Sequence, residues 1–310
     1  MEVVNFRTHL AREDPVIVTI GNFDGVHLGH QFIIRKMVKE ARQRQCSSIL
    51  VSFDPHPQEV VHPQRTVAKL CTPSLRNRIL KDLDLDAVHI IHFTSEFSQL
   101  SPEDFALEFL IERFNLVKLI IGHDFHFGRK RAGNADLLQR FSQEYHFELE
   151  EISPVQIGNQ TVSSTLIRQL IKENRFDEIP QFLGRAYSLY SSIERGDQRG
   201  RTIGFPTANL RTQNSIPLEN GVYVSRAKVR NQIYQGVTNV GVRPTFGLNE
   251  QIVETFLFDF SDDIYGETME VWPLKQLRKE KKFSGLNSLQ EQIQKDTESA
   301  QSFFQSQQAR

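Results

Sequence analysis

The alternation of strand-like and helix-like segments changes near Gly184 in this 310-residue chain, and that change most constrains the fold. Before it, β-branched runs alternate with helical patterns, beginning with a strand over 16–20 and a helix over 28–44. This alternation predicts a parallel sheet with crossover helices. After it, several strands separated by turns such as Arg230-Asn231 are followed by one helix over 288–304, which predicts a small β-barrel with a covering helix.

We therefore predict two domains, residues 1–184 and 185–310. The further strands predicted before the change are 48–53, 87–93, 117–122 and 147–152. The further helices predicted there are 75–83, 102–114 (with Ser101 as its cap), 135–145, 164–172 and 176–183. The strands predicted after the change are 186–194, 222–229, 233–240, 253–259 and 270–277. The apolar side of the 28–44 helix is predicted to carry Phe32, Ile33, Met37, Val38 and Ala41.

Charge and cysteine content exclude some classes of protein. The formal net charge is -1, which argues against a nucleic-acid binder, because such domains are usually basic. No apolar run approaches the roughly 18 residues of a membrane helix, and the first residues lack the apolar segment of a signal peptide. Cys46 and Cys71 have no CxxC partner, which is typical of reduced thiols. We expect a cytoplasmic protein with no nucleic-acid or membrane partner, as a monomer or weak oligomer.

The stretch from Gly21 to His30, Gly-Asn-Phe-Asp-Gly-Val-His-Leu-Gly-His, lies between the first predicted strand and helix. Free N–H groups and the helix dipole make that position a natural anion site. There is no GxxxxGK[ST] motif, so it is not a Walker-type site. His27 and His30 are three residues apart and can point to one side, while Gly29 leaves room for a phosphate. The alternative is that both histidines only cap and pack.

Two further segments are predicted at the same edge of the sheet, where ligands of parallel sheets bind. The stretch 122–128, Gly-His-Asp-Phe-His-Phe-Gly, follows the fourth predicted strand. Ser163 and Ser164 open a predicted helix that carries Arg168 one turn further on. The hydroxyls could hold a phosphate, or they could simply cap the helix. Together the three segments predict a nucleotide site.

These motifs carry a resemblance to a known family. The stretches GNFDGVHLGH, SFDPHP, GHDFHFG and SSTLIR resemble the adenylyltransferase module of bacterial bifunctional riboflavin kinase/FAD synthetases, within the nucleotidylyltransferase superfamily. The resemblance implies a Rossmann-like α/β domain that transfers the adenylyl group of ATP to FMN, normally aided by Mg²⁺. It implies catalytic or phosphate-stabilising roles for His27, His30, Ser164 and Arg168. It implies ATP contacts for Gly21, Asn22, Asp24, Asp124 and Ser163, and flavin contacts for Phe53, Pro55 and His56.

The stretch from Gly196 to Asn209 is the second informative segment. Its glycines let the backbone approach phosphates closely. Thr207 and Asn209 are two residues apart, so in an extended strand they face the same way, and their oxygens suit Mg²⁺ bound to a nucleotide. The alternative is an Arg- and Gly-rich surface loop that leads into a strand.

That segment, with NVGVRPTF and Val253-Glu254-Thr255, resembles the riboflavin kinase module, a flavokinase β-barrel unrelated to protein kinases. The resemblance implies Thr207 and Asn209 as ligands of Mg²⁺ and ATP, and Glu254 as the base that accepts the proton of the ribityl 5′-hydroxyl. The residues expected to contact ATP there also include Gly200 and Arg201. Arg278 and the stretch 279–283 are expected near the flavin. From the residues alone, Glu254 is an exposed strand carboxylate and 279–283 a solvated charge run.

The leading hypothesis is an enzyme that uses ATP twice, converting riboflavin to FMN and FMN to FAD, with riboflavin, FMN and ATP as its small-molecule partners. A second hypothesis is that only one activity survives beside a flavin or nucleotide sensor. A third is a flavin-sensing module without activity, which the presence of Glu254, Thr207 and His30 argues against. A nucleic-acid-binding relative of tRNA synthetases would need a basic face, which is not visible in the sequence.

Overall fold

The computed structural model describes residues 1–5, 12–64, 67–196, 200, 204–211, 215–245 and 248–308. The chain forms two compact units, one of residues 1–67 and 77–163, the other of residues 68–76 and 164–310. The prediction of a domain boundary at residue 184 is not decided by this division and stays a prediction. Within the described residues, no helix combines the length and the apolar character needed to cross a membrane.

The first unit is built on a six-stranded sheet in which every pairing is parallel. Its strands are β1 (Glu2–Asn5), β2 (Arg12–Ile20), β3 (Ser47–Asp54), β4 (Ala87–His92), β5 (Phe114–Gly122) and β6 (Glu148–Ile152). The spatial order is β1-β4-β3-β2-β5-β6, so the chain winds outward in both directions from β2. Val18 on one face and Ile17 on the other are fully buried, in separate apolar cores. Burial on both faces explains the β-branched runs in the sequence.

Helices and a small hairpin accompany these strands along the chain. The helices are α1 (Leu28–Arg44), α2 (Pro57–Val61), α3 (Pro73–Lys81), α4 (Pro102–Ala106) and α5 (Ala135–Glu144). A π-helical turn over Leu107–Ile111 continues α4, and the hairpin consists of β7 (Gln156–Ile157) and β8 (Gln160–Thr161). The bounds of α1 are those predicted. The side chain of Ser101 accepts a hydrogen bond from the N–H of Asp104 at 3.0 Å, so the predicted cap is also confirmed.

Several details of the predicted helices are wrong, including the start of the helix predicted over 176–183, which begins at Ile179. The helix expected to reach residue 114 ends earlier, because Phe114 is 4% exposed and begins β5 opposite Arg12 of β2. Pairing with the sheet buries that ring more completely than a surface helix would. Phe32 is 51% exposed rather than part of the apolar face of α1, whereas Ile34 is fully buried. The buried face of α1 is therefore rotated slightly about the helix axis from the face that the sequence pattern predicted.

The second unit contains a closed antiparallel barrel of six strands. Its strands are β9 (Leu189–Glu194), β10 (Thr207–Leu210), β11 (Gly221–Val229), β12 (Gln232–Thr245), β13 (Leu248–Leu257) and β14 (Thr268–Lys279). Around the barrel the order is β10-β13-β12-β11-β14-β9. Its helices are α6 (Ser164–Lys172), which has the predicted bounds, α7 (Ile179–Leu183) and α8 (Leu286–Gln308). The predicted fold class, a parallel α/β domain followed by a small barrel with a C-terminal helix, is confirmed.

Side chains alternate between the inside and the outside of the barrel. Inside, the hydroxyls of Ser225, Thr238 and Thr255 form a buried chain, with oxygen separations of 2.6 and 3.0 Å. Each satisfies its neighbour, which removes the cost of burying unpaired hydroxyls. Outside, Ala300 and Phe304 of α8 pack on an apolar cluster that includes Val222 and Val224. The outer face not covered by this cluster is therefore where polar side chains can meet solvent and ligands.

Residues 68–76 come from the first half of the sequence but pack within the second unit. The backbone N–H of Lys69 donates to the carbonyl oxygen of Ser215 at 2.9 Å. The hydroxyl of Thr72 donates to the carbonyl oxygen of Tyr190 at 2.8 Å. The Nε of Arg168 donates to the carbonyl oxygen of Ala68 at 2.7 Å. Hydrogen bonds to residues distant in sequence thus hold this segment in the second unit. No local sequence pattern predicts that position.

Candidate active sites

The first candidate site lies where the strand order of the parallel sheet reverses. Strand β2 pairs with β3 on one side and β5 on the other, with Thr19 opposite both Leu50 and Ile120. The carboxyl ends of β2 and β5 therefore open into one crevice, the position where open α/β sheets bind ligands. Gly21 follows β2 and His123 follows β5, so the structure brings two of the three predicted segments to this crevice.

The loop after β2 has an unusual backbone. Phe23 and Val26 have φ values of 49° and 43°, a region that L-residues rarely occupy, and Gly25 lies between them at 79°. The amide of Gln31, on α1, donates to the carbonyl oxygen of Val26 at 2.9 Å and braces the loop. Asp24 is 8% exposed within it. Non-glycine residues held in this conformation concentrate at functional sites, because the surrounding structure must stabilise them.

The two predicted histidines form one compact pair at the start of α1. Their rings stack with centroids 3.6 Å apart and planes 16° from parallel. His27 is the N-cap, and its Nδ1 accepts a hydrogen bond from the backbone N–H of His30 at 3.3 Å. Because Nδ1 accepts, the proton of a neutral His27 lies on Nε2, which is the donor nitrogen of the ring. The capping role and a catalytic role are thus compatible, because they use different nitrogens.

His30 is unusually hard to protonate. Burial of its ring, and then the nearby His27, hold the pKa of His30 well below the ordinary value of 6.5. Its Nδ1 is buried and has no hydrogen-bond partner among the residues that the structure describes. Near pH 7 the ring of His30 is therefore neutral until an anion approaches. A phosphate beside the rings would favour protonation, since an opposite charge stabilises the charged form.

Gly29 controls the approach to this pair. A Cβ at this position would lie 3.2 Å from Cε1 and Nδ1 of His27, and 3.8 Å from the carbonyl oxygen of Val162. Carbon contacts at 3.2 Å are tighter than ordinary packing, so any larger residue would displace the His27 ring. The glycine thus keeps the imidazole seated against the first turn of the helix.

The other predicted residues of the nucleotide site lie in the loops after β2 and β5 and at the start of α6. Asn22 and Asp124 are exposed in the loops after β2 and β5, and the carbonyl oxygen of Asn22 accepts a bond from Ser52 at 3.2 Å. Ser163 immediately precedes α6, in the position of a helix cap, and Ser164 is the first residue of that helix. Arg168 lies one turn into α6 with its Nε bonded to Ala68, as described above. The phosphate contacts of Ser163, Ser164 and Arg168 stay predictions.

An aromatic cluster surrounds the predicted flavin residues. The ring of Phe53, at the end of β3, has edge or tilted contacts with Phe93 at 5.7 Å and Phe97 at 6.4 Å between centroids. All three rings are half-buried. Pro55 follows a cis peptide bond, and His56 caps α2 through its Nδ1, which accepts from the N–H of Gln58 at 3.2 Å. A flat aromatic ligand could pack on such rings.

Sequence reasoning missed Phe93 and Phe97, although Phe93 immediately follows β4. The signal that could have found them is their position, since β4 neighbours β3 in a parallel sheet and both end at the same edge. The tertiary pairing was needed because a sequence with 23 phenylalanines offers many equivalent candidates.

The second candidate site is a row of polar residues on the outer face of the barrel. Asn209 of β10 lies opposite Glu254 of β13, and Glu254 lies opposite Asn239 of β12. Directly opposed residues of antiparallel strands point to the same face with Cβ atoms about 5 Å apart. All three side chains are half-buried. The row thus places a carboxylate between two amides, and Asn239 is a member that sequence reasoning missed.

Thr207 is on the same side of β10 as Asn209, because both are half-buried while Ala208 and Leu210 are buried. This alternation confirms that their side chains face the same way. A Cβ on Gly196 would clash with the side-chain amide of Asn209, so a larger residue there would push the amide from its place. A hydroxyl and an amide oxygen are hard donors of the kind that Mg²⁺ accepts together with phosphate oxygens. The donor set therefore fits the expected ion.

Other predicted residues of this unit take different positions. The guanidinium of Arg278 forms a forked ion pair with the carboxylate of Asp296 on α8, at 2.8 to 3.0 Å. It also lies 5.7 Å from the ring of Phe283. Arg278 thus ties β14 to the covering helix, and its flavin contact stays a prediction. Gly200 is among the described residues, with its carbonyl oxygen accepting from Phe205 N–H at 2.8 Å, whereas Arg201 lies outside them.

Each half of the chain matches the model of a known protein family. The family model described as FAD synthetase matches residues 10–166, and the one described as riboflavin kinase matches residues 183–304. A bifunctional riboflavin kinase/FMN adenylyltransferase of Buchnera aphidicola (subsp. Schizaphis graminum) is 36% identical, over 93% of this chain and 93% of that protein. The protein of the same description from Haemophilus influenzae is 36% identical over 93% and 94% of the two chains.

A solved structure has the same overall fold. It is described as a macrolide-efflux protein from Streptococcus pneumoniae, and it is 29% identical with a TM-score of 0.77, over 96% of this chain and 97% of that one. The two family models together span both units, and the curated relatives match along nearly the whole length. This chain therefore belongs to the family of bifunctional riboflavin kinases/FMN adenylyltransferases.

Proposed function

We propose that this chain converts riboflavin to FMN with one ATP, and FMN to FAD with a second ATP. The observation that carries the proposal is the presence of two chemically different sites in one chain. One has a stacked histidine pair at the switch point of a parallel sheet, and the other has a strand carboxylate between two amides. The first suits charge stabilisation at a phosphate, and the second suits proton removal from an alcohol.

In the adenylyl transfer, a phosphate oxygen of FMN attacks the α-phosphorus of ATP, and the bond to the bridging oxygen of pyrophosphate breaks. Nucleophile and leaving group are both anionic at neutral pH, so the reaction needs positioning and charge stabilisation rather than a general base. The Nε2–H of His27 and the ring of His30 donate to oxygens that gain charge in the transition state. The loop Gly21–Asp24, Asp124 and the residues Ser163, Ser164 and Arg168 are proposed contacts of ATP.

In the phosphoryl transfer, the ribityl 5′-oxygen attacks the γ-phosphorus of ATP and the bond to the β-phosphate oxygen breaks, releasing ADP. Glu254 accepts the hydroxyl proton as the new O–P bond forms. Thr207 and Asn209, on the same side of neighbouring β10, hold the phosphate end of ATP. Gly200 and Arg201 are proposed to contact the same phosphates.

We propose Mg²⁺ as the ion held by Thr207 and Asn209 together with ATP. When bound, it would neutralise charge on the phosphates that these residues orient. The flavin ring in the first unit is proposed to lie near Phe53, Pro55 and His56, and in the second unit near Arg278. We further propose domains over 1–184 and 185–310, and a cytoplasmic monomer or weak oligomer without nucleic-acid or membrane partners.

The test is a time course. The purified chain is incubated with riboflavin, ATP and Mg²⁺, and riboflavin, FMN and FAD are separated chromatographically while pyrophosphate is measured. We expect FMN first, then FAD with one pyrophosphate per FAD. A parallel reaction supplied with FMN tests the second step directly. FMN without FAD in both reactions would support a single surviving activity, and no conversion in either would support a flavin-sensing module.

A further inference from the structure

The carboxylate of Glu280 lies beside the row of polar residues on the barrel; it belongs to the stretch 279–283 expected near the flavin, but the proposed mechanism gives it no role. It follows the end of β14 and leans onto the backbone of Gly241 in β12. A Cβ on Gly241 would lie 3.2 Å from the Oε1 of Glu280 and 3.6 Å from the Nδ2 of Asn239. The other carboxylate oxygen accepts a bond from the amide of Asn220 at 3.2 Å. The absence of a side chain on Gly241 thus leaves room for a carboxylate and an amide beside the site.

These groups extend the row in one direction. Asn239 and Gly241 are two residues apart on β12, so they face the same side, and opposite them on β13 are Glu254 and Ile252. The order along the surface is therefore Asn209, then Glu254, then Asn239 and Glu280. Thr207 and Asn209 occupy the end proposed for ATP. The acceptor alcohol must reach Glu254 from the other end, since attack is in line with the leaving group.

The chemistry of that end suits a neutral polyol rather than an anion. Ionised carboxylate oxygens accept hydrogen bonds only, and the hydroxyls of a sugar-alcohol chain can donate to them. The amide of Asn239 can donate to or accept from a neighbouring hydroxyl. A second phosphate would instead face the like charges of Glu254 and Glu280. Glu280 is also exposed, so a ligand can reach it.

We propose that Asn239 and Glu280 bind the ribityl hydroxyls next to the reacting one and thereby select the alcohol that is phosphorylated. This inference rests on the proposed kinase site at Glu254. The polyol crosses the row from Glu254 past Asn239 to Glu280, which places its 5′-oxygen at the carboxylate base. The flavin ring itself needs no contact with these two residues.

The test measures initial rates of FMN formation by the full chain, with riboflavin and ATP varied separately. For E280A we expect the KM for riboflavin to rise about ten-fold or more, the loss expected for a hydrogen bond to a charged group, with the KM for ATP within two-fold of its original value. E280Q, which keeps an acceptor oxygen, should recover part of the loss. E219A is the matched control, because Glu219 is a neighbouring exposed carboxylate that pairs with Lys279.

Lumiflavin, which has the same ring with a methyl group in place of the ribityl chain, separates polyol contacts from ring contacts. Its inhibition constant in the kinase reaction should be unchanged in E280A and in N239A. Equal loss of lumiflavin and riboflavin binding, a matching rise in the KM for ATP, or an unchanged KM for riboflavin would overturn the inference alone. If the unaltered chain forms no FMN, the proposed function fails and this inference fails with it.

Discussion

Replacing Gly29 by alanine should slow adenylyl transfer while changing the stability of the first unit little. The new methyl group would lie 3.2 Å from the His27 ring, so that ring must move by a few tenths of an ångström. It cannot move toward His30, because the two rings already stack at 3.6 Å. It must therefore swing away from its capping position, where the Nδ1 accepts the N–H of His30.

The expected effect on stability is small because two terms oppose each other. Alanine in a helix is favoured over glycine by up to about 1 kcal/mol, although less in the first turn of α1. Turning the His27 side chain away from its preferred rotamer costs about 0.5–1.5 kcal/mol. We therefore expect the free energy of unfolding to change by less than about 1 kcal/mol in either direction.

The expected effect on adenylyl transfer is much larger. Misplacement of a positioned group by about 1 Å can cost about 100-fold in rate, and here the methyl group also occupies the approach to the helix start. We expect FAD formation from supplied FMN to fall at least about ten-fold, which corresponds to about 1.4 kcal/mol of transition-state stabilisation.

The assay is a pair of initial rates on one preparation, FMN to FAD and riboflavin to FMN. The second rate should be unchanged and acts as an internal control for folded, active protein. Thermal unfolding provides the stability measurement. Full adenylyl transfer in a folded G29A variant would refute the argument that the phosphates approach the protein at Gly29.

Three further predictions concern charged and titratable groups. H30A should lower FAD formation at least about 100-fold while FMN formation continues. E254Q should stop FMN formation and leave FAD formation from supplied FMN. Loss of both reactions in either folded variant would contradict the two-site assignment. The pKa of His30 is lowered in the folded state, so the unfolded chain binds more protons below pH 6.5 and stability must fall as pH decreases there. H30N should reduce that fall, by up to about 1.4 kcal/mol at pH 5.5, in denaturant titrations. D296A should lower the unfolding free energy by about 2 kcal/mol, because it leaves the partly buried guanidinium of Arg278 without its forked partner, and an unchanged denaturation midpoint would show that the pair contributes nothing.

Local elements were predictable where one stretch of sequence contains all the causes. The strand 16–20, the start of α1 at Leu28 and the bounds of α6 follow from β-branched runs, capping positions and helical spacing. Arg230 and Asn231 have φ values of 48° and 67°, the conformation of a tight hairpin turn, in which asparagine is a preferred residue. Nothing outside these segments is needed to explain them.

Elements that depend on distant partners were predicted poorly. Strand β1 (Glu2–Asn5) has little pattern of its own and exists because it pairs with β4, where Glu2 lies opposite Ala87. The helix predicted over 102–114 does not reach Phe114 for the same reason, because that residue pairs within β5. Residues 68–76 pack within the second unit through bonds to Ser215, Tyr190 and Arg168, and no spacing in the sequence indicates those partners.

The sequence by itself determined the class of each half and the chemical types that each site would contain. Motifs such as the glycine-flanked histidines are short. Their residues are neighbours along one loop and helix, so they lie close together whatever the rest of the fold. The tertiary structure alone decided which distant residues complete the sites. Asn239 meets Glu254, and Phe93 meets Phe53, because strand order and register align them. Those alignments arise from long-range pairing and burial, whose cost and gain depend on the whole sheet rather than on any one segment.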